Sequence, residues 1–187
     1  MIFEIGDFIK KFHLMTKCAM MVCLSLILKQ IKLFSMPFGG SVTFGSLAPL
    51  IILSNKYGVK TGVFAAFVCL IAHLIMSFKV PPAKSLLAIV LIIFLDYVLQ
   101  YLLIGFSGFF GRFFSFGRFN KMYTGAAVSF ILKIFSSAVS GTVFWSEYAP
   151  GFLSIPLYSL GYSCVYLIPE FIITVIIIKK HIKLWYP

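Results

Sequence analysis

The chain has 187 residues, of which 61% are apolar and only 11% charged, and its mean hydropathy is +1.05. Water-soluble domains carry about a quarter charged residues, so this composition excludes one. Sixteen Lys and Arg against five Asp and Glu leave a net charge of +11. The cations sit at the ends of apolar runs, which points to a lipid bilayer and away from nucleic acid. At roughly 20 residues per crossing, the length holds five or six spans and leaves no room for a nucleotide-binding domain.

The N-terminal stretch, residues 1–11, carries Glu4, Asp7, Lys10 and Lys11 and lacks a small-residue cleavage site. It reads as an interfacial lead-in and not as a removed signal peptide. A first span is expected over 14–34, with Lys29 and Lys32 near its outer end, where their stems can snorkel. A Pro/Gly/Ser-rich loop follows to Ser46, and then an apolar run over 47–54 that is short for a crossing and reads as a short or broken span. Further spans are expected over 59–78, 83–106, 122–144 and 157–178, the middle pair separated by Pro81-Pro82, which cannot lie inside a helix without breaking it. Together these predict an all-α integral membrane protein, a single domain built as a six-helix bundle.

Cations near the span ends divide unevenly. Lys10, Lys11, Lys17, Lys56, Lys60, Arg112, Arg118, Lys121, Lys179, Lys180 and Lys183 fall on one side, and Lys29, Lys32, Lys79 and Lys84 on the other. The positive-inside rule then places both termini in the cytoplasm. Cys18, Cys23, Cys69 and Cys164 lie in apolar segments at no metal-ligand spacing, so they read as reduced small hydrophobes, and neither a metal nor a cofactor is expected. HExxH, GxSxG and P-loop patterns are absent, and no second carboxylate is spaced to work with Asp96, so nothing proposes an enzyme.

Ionisable groups inside a span are costly and therefore need a reason. Asp96, with Gln100 on the same helical face, suits a cationic ligand, or alternatively a packing contact with Lys133. Tyr158, Tyr162, Tyr166 and Glu170 recur at every fourth position of the last span, a stripe able to stack on a planar heterocycle and bond its edges. For Glu170 a bond to a neighbouring helix is the expected partner, and Pro169 is expected to kink the span. Trp145 and Glu147 make a Trp–acid pair in the loop after the fifth span, serving either a ligand or an aromatic belt at the headgroups. The loop containing Phe38, Gly39, Gly40 and Ser41 has the glycines and hydroxyls of either a lid or a connector. Ala19 and Cys23 form a small-xxx-small pair on span one. Residues 108–121, rich in Phe and cations, read as an interfacial cytoplasmic segment, and His73 and Lys133 as packing residues.

Several stretches occur in the order of a known family. They are Gly39-Gly40-Ser41-Val42-Thr43-Phe44-Gly45-Ser46, Leu95-Asp96-Tyr97 with Gly105-Phe106-Ser107-Gly108, Gly141-Thr142-Val143-Phe144-Trp145-Ser146-Glu147-Tyr148-Ala149-Pro150, and Tyr158-Ser159-Leu160 with Tyr166-Leu167-Ile168-Pro169-Glu170. In these the chain resembles the thiamine-transporter family, the substrate-binding S components of energy-coupling factor (ECF) transporters. The resemblance implies a six-helix subunit in the bacterial cell membrane that captures a vitamin from outside. Its ligand contacts would include Asp96, Tyr97, Trp145 and Tyr158, with Tyr162 and Glu147 alongside. Ala19 and Cys23 are similar to the family's docking face for a transmembrane coupling subunit, which works with two ATPase subunits. Two positions depart from the family pattern, Ser137 standing where a His is usual and Ser163 where an Asn is usual. They imply either thiamine held in a rearranged pocket or a shift to a related heterocycle. A proton-coupled carrier using Asp96 or Glu170, or a membrane scaffold without transport, are the readings from other classes.

Overall fold

A computed structural model describes residues 2–37, 39–77, 85–114, 120–145 and 154–185. Among the described residues, five helices are long and apolar enough to cross a membrane, within Lys11–Gln30, Val59–Met76, Leu86–Gly105, Lys121–Phe144 and Ile155–Ile182. The full elements, in chain order, are α1 (Ile2–Gln30), a hairpin of β1 (Lys32–Ser35) and β2 (Ser41–Thr43), α2 (Ala48–Tyr57), α3 (Val59–Ser77), α4 (Leu86–Gly105), α5 (Ser107–Phe113), α6 (Asn120–Phe144) and α7 (Ile155–Trp185). Alternate passes put the hairpin, the start of α4, the end of α6 and the start of α7 at one end of the bundle, opposite both chain ends.

The first helix differs from expectation at both ends. The expected lead-in is helical from Ile2, and the helix stops at Gln30 although a span to Phe34 is expected. The reason is pairing, since Lys32 lies opposite Thr43, Phe34 opposite Val42 and Ser35 opposite Ser41 in an antiparallel ladder. Gly39 and Gly40, with φ of 112° and 83°, turn the chain back, and the Met36 amide donates to the Gly40 carbonyl at 3.0 Å. Side chains with a Cβ rarely adopt such φ values, so this turn belongs to glycine.

The short apolar run becomes α2, ten residues that span about 15 Å, half of a hydrocarbon core. Every residue from Ala48 to Ser54 is buried. Lipid is as apolar as leucine, so this burial is held by close packing and interhelical hydrogen bonds more than by exclusion from water. Ser54 donates to the Gly105 carbonyl and accepts from the Gly108 amide at 2.9 Å. Ser129 donates to the Leu103 carbonyl and Ser136 to the Leu95 carbonyl, each at 3.0 Å. Part of the expected interfacial segment is α5, whose Ser107, Gly108 and Gly111 are buried against α2 and α6; residues 115–119 lie outside the described residues.

A Cβ at Gly108 would run into the backbone carbonyl of Ser54, a contact no rotamer change relieves. Gly108→Val is therefore expected to cost about 1–3 kcal/mol or more through overpacking. It should lower the melting midpoint of the detergent-solubilised protein by several degrees, read by fluorescence-detected size exclusion after heating. A conservative change on the exposed face, Ile75→Val, should leave that midpoint in place.

Candidate functional site

At the end of the bundle away from both termini lies a cavity of about 260 Å³. Lys29, Lys32 and the hairpin residues Gly39, Gly40, Ser41 and Thr43 form one wall, with His73 of α3 beside them. Helix α4 contributes Asp96, Tyr97, Gln100 and Tyr101; α6 and its end give Lys133, Ser137, Gly141 and Trp145; α7 gives Tyr158, Tyr162, Ser163, Tyr166 and Glu170.

The α4 contribution depends on a local change of helix type. Residues Phe94–Val98 form a π turn inside an otherwise α-helical span. A π turn inserts a residue and re-aims the side chains around it, and such turns are frequent at functional sites. Here Asp96 and Tyr97 both line the cavity. The Leu95 carbonyl within this turn accepts the Ser136 hydroxyl, which fastens it to α6. Asp96 faces Ser140 and Trp145. Its partner is therefore not Lys133, the packing alternative.

The tyrosine stripe of α7 is realised as neighbouring rings, with centroids 6.0 Å apart for Tyr158 and Tyr162 and 6.2 Å for Tyr162 and Tyr166. The helix runs unbroken through Pro169. Tyr162 donates its hydroxyl to the Gly39 carbonyl at 2.9 Å, and Gly40 packs on the ring of Tyr166. Two tyrosines thus hold the hairpin turn over the cavity. Glu170 accepts from Thr43 at 2.7 Å and from Ser46 at 3.4 Å, so its partner is the hairpin and the approach to α2 instead of the expected helix.

Ser137 and Ser163, the two departures from the family pattern, are neighbours. Their hydroxyl oxygens lie 3.0 Å apart, Ser137 shares a 2.8 Å hydrogen bond with Tyr166, and Ser163 donates to the Ser159 carbonyl at 2.9 Å. Both short side chains are therefore satisfied by each other and by α7, and neither leaves a buried hydroxyl unpaired.

Lys29, Lys32, His73, Tyr101 and Lys133 line this site although the sequence did not place them there. Lys29 does not snorkel to the surface; its ammonium meets His73 Nδ1 at 2.9 Å and the Tyr101 hydroxyl, and lies 4.8 Å from the centre of the Tyr101 ring. His73 also packs at 5.4 Å from Tyr97 and 5.8 Å from Tyr101, centroid to centroid. The available signal was the i, i+4 spacing of Tyr97 and Tyr101, which repeats that of Asp96 and Gln100. Phe38 and Glu147 lie outside the described residues. Ala19 and Cys23 are exposed on α1, away from the cavity.

The family model described as thiamine transporter protein matches residues 15–183. The chain belongs to that family. Thiamine transporter ThiT of Bacillus subtilis is 29% identical over 154 residues, covering 77% of this chain and 76% of the relative. A solved structure of ThiT from Listeria monocytogenes superposes with a TM-score of 0.66 at 20% identity, over 95% of this chain and all of that one. This likeness establishes the family's membrane-helix bundle for the present chain, here with one short hairpin, and the family is one of multi-pass transporters.

Proposed function

We propose that this protein is the substrate-binding S component of an ECF-type transporter, taking thiamine or a closely related heterocycle from outside the cell. Its cavity carries the reading: a carboxylate, Asp96, and aromatic faces from Tyr97, Trp145, Tyr158 and Tyr162 converge beneath a hairpin that two tyrosines hold in place. A thiazolium cation is attracted by a carboxylate and by aromatic faces, while an aminopyrimidine takes hydrogen bonds at its edges, here from the tyrosines, Ser137 and Ser163. The protein's place is a bacterial plasma membrane, as for the Bacillus subtilis relative's family, and positive-inside counting supports both termini in the cytoplasm, so that the cavity opens outward. The exposed small residues Ala19 and Cys23 suit close approach of a coupling subunit, which would act with two ATPase subunits.

Intrinsic fluorescence tests the ligand assignment, because Trp145 and Trp185 are the only tryptophans. Titrating the detergent-purified protein with thiamine should quench the signal saturably. Trp145→Ala should remove that quenching and weaken binding about tenfold by calorimetry, the loss of one stacked, partly desolvated aromatic contact. No response to thiamine from folded, monodisperse protein would overturn the assignment. Uptake in cells tests the coupling: it should require ATPase subunits, and uptake that persists without them would favour a proton-coupled carrier.

A further inference from the structure

We propose that a groove between α6 and α7, at the end of the bundle nearest the chain termini, seats one acyl chain of an anionic phospholipid, with Lys179, Lys180 and Lys121 receiving its phosphate. The groove is separate from the ligand cavity, and the proposal does not depend on what that cavity binds.

Side-chain size makes the groove. Thr124 and Ala127 of α6 are short, Tyr123 beside them is bulky, and Ile172, Val175 and Ile176 of α7 form the facing wall. Phe171 closes one end and is held by the buried Phe130, with ring centroids 5.2 Å apart. Gly125 lies on the opposite side of α6 at the same level, where a Cβ would run into the Ser107 carbonyl oxygen. Helix α6 thus closes on α5 here, and the groove opens on its other side.

Depth decides what fills it. The lining residues fall within the membrane spans Lys121–Phe144 and Ile155–Ile182, and Ile172 and Ile176 are exposed on the bundle surface. Around such a span the medium is hydrocarbon and not water. Charge then decides which lipid. Lys179 follows Val175 by four residues and Ile176 by three, so it continues the α7 wall by one turn, and Lys180 follows Ile176 by four. Lys121 lies one turn before Thr124 on α6, and all three lysines are exposed. The acids are elsewhere: Asp96 and Glu170 line the cavity, Glu147 follows the far end of α6, and Glu4 and Asp7 belong to α1, which packs on α2 and α3. An apolar slot that ends in three cations matches an acyl chain that ends in a phosphodiester, and basic recesses between membrane helices take anionic headgroups in this way. A lipid seated here would brace α6 against α7, the two helices that bring Ser137, Trp145 and the tyrosine row to the cavity.

Native mass spectrometry of the full-length protein released from detergent tests this, with palmitoyl-oleoyl phosphatidylglycerol and phosphatidylcholine as probes. The wild type should retain one phosphatidylglycerol at least tenfold more strongly than phosphatidylcholine. Lys179→Gln should lower that ratio about fivefold, the weight of one lysine near an anionic headgroup. Lys60→Gln, the same loss of charge at the same end but on α3, should leave it unchanged. Ala127→Phe, which fills the slot, should reduce phosphatidylglycerol retention at least fivefold; Lys179 is exposed, so its substitution reads the site even where Ala127→Phe disturbs packing. Equal retention of the two lipids, a ratio unmoved in Lys179→Gln or lowered as much in Lys60→Gln, or full retention in folded Ala127→Phe would overturn the proposal. So would glycerol 1-phosphate competing as well as the whole lipid, which would show a phosphate site with no chain in the groove.

Discussion

Asp96→Asn is expected to weaken thiamine binding thirtyfold or more in detergent, with the melting midpoint little changed. The amide keeps the shape of the carboxylate and its place facing Ser140 and Trp145. What it removes is the negative charge. In a membrane-embedded cavity that already holds more lysines than carboxylates, a bound heterocyclic cation then loses its compensation. Losing one partner of a desolvated charge pair costs about 2–5 kcal/mol, and the lower end of that range is roughly thirtyfold in affinity. Calorimetric titration of the variant against the wild type checks it. Cys69→Ala, at a buried position that does not line the cavity, serves as the control and should bind as the wild type does. Equal affinity in Asp96→Asn would remove this residue from the site.

Gly40→Ala is expected to weaken binding by a comparable factor through the lid and not through any contact with the ligand. Gly40 has φ of 83°, which costs about 1–2 kcal/mol for a residue with a Cβ. Its added methyl carbon would also fall 2.9 Å from Cε1 of Tyr166. The hairpin must lift from α7 to relieve that overlap, and the Tyr162 bond to the Gly39 carbonyl goes with it. Ligand should then dissociate at least tenfold faster, while the association rate changes less, because an open lid does not hinder arrival. Stopped-flow tryptophan fluorescence separates the two rates. A dissociation rate equal to that of the wild type would show that the hairpin does not close over the ligand.

Apolar runs made most of the bundle legible in the sequence. The expected spans over 59–78, 83–106 and 122–144 agree with α3, α4 and α6 to within three residues at every end, because long uncharged segments between Pro, Gly and Lys permit little else. The first span was less legible. Lys32-Leu33-Phe34 is apolar enough to extend a helix, and only the pairing partner at Ser41–Thr43 draws it into a strand. That information is non-local, and residue spacing along α1 does not contain it.

The site divides in the same way. Asp96, Trp145 and the tyrosines stood out because an intramembrane acid or a regular aromatic stripe has a cost or a period that can be read along one helix. Lys29 did not, since a lysine at a span end has an inexpensive default in the headgroup layer. Its inward course depends on His73 and Tyr101, which are 44 and 72 residues away. Glu170 was visible as a group needing a partner, yet its partners Thr43 and Ser46 lie 127 and 124 residues earlier. The π turn at Phe94–Val98 has no sequence signal of its own and is fixed by packing against α6.

The short length of α2 also bears on how the protein is made. A ten-residue segment offers too little apolar length to leave a translocation channel as an independent span, and alone in lipid it would strand its terminal amides and carbonyls in hydrocarbon. Its anchoring bonds reach forward to Gly105 and Gly108, which are synthesised some fifty residues later. Final seating of α2 must therefore wait for α4 and α5, and the hairpin joined to its N-terminus waits with it. Biogenesis thus leaves the hairpin wall of the cavity for last, so a chain interrupted before α4 has membrane spans but no seated hairpin.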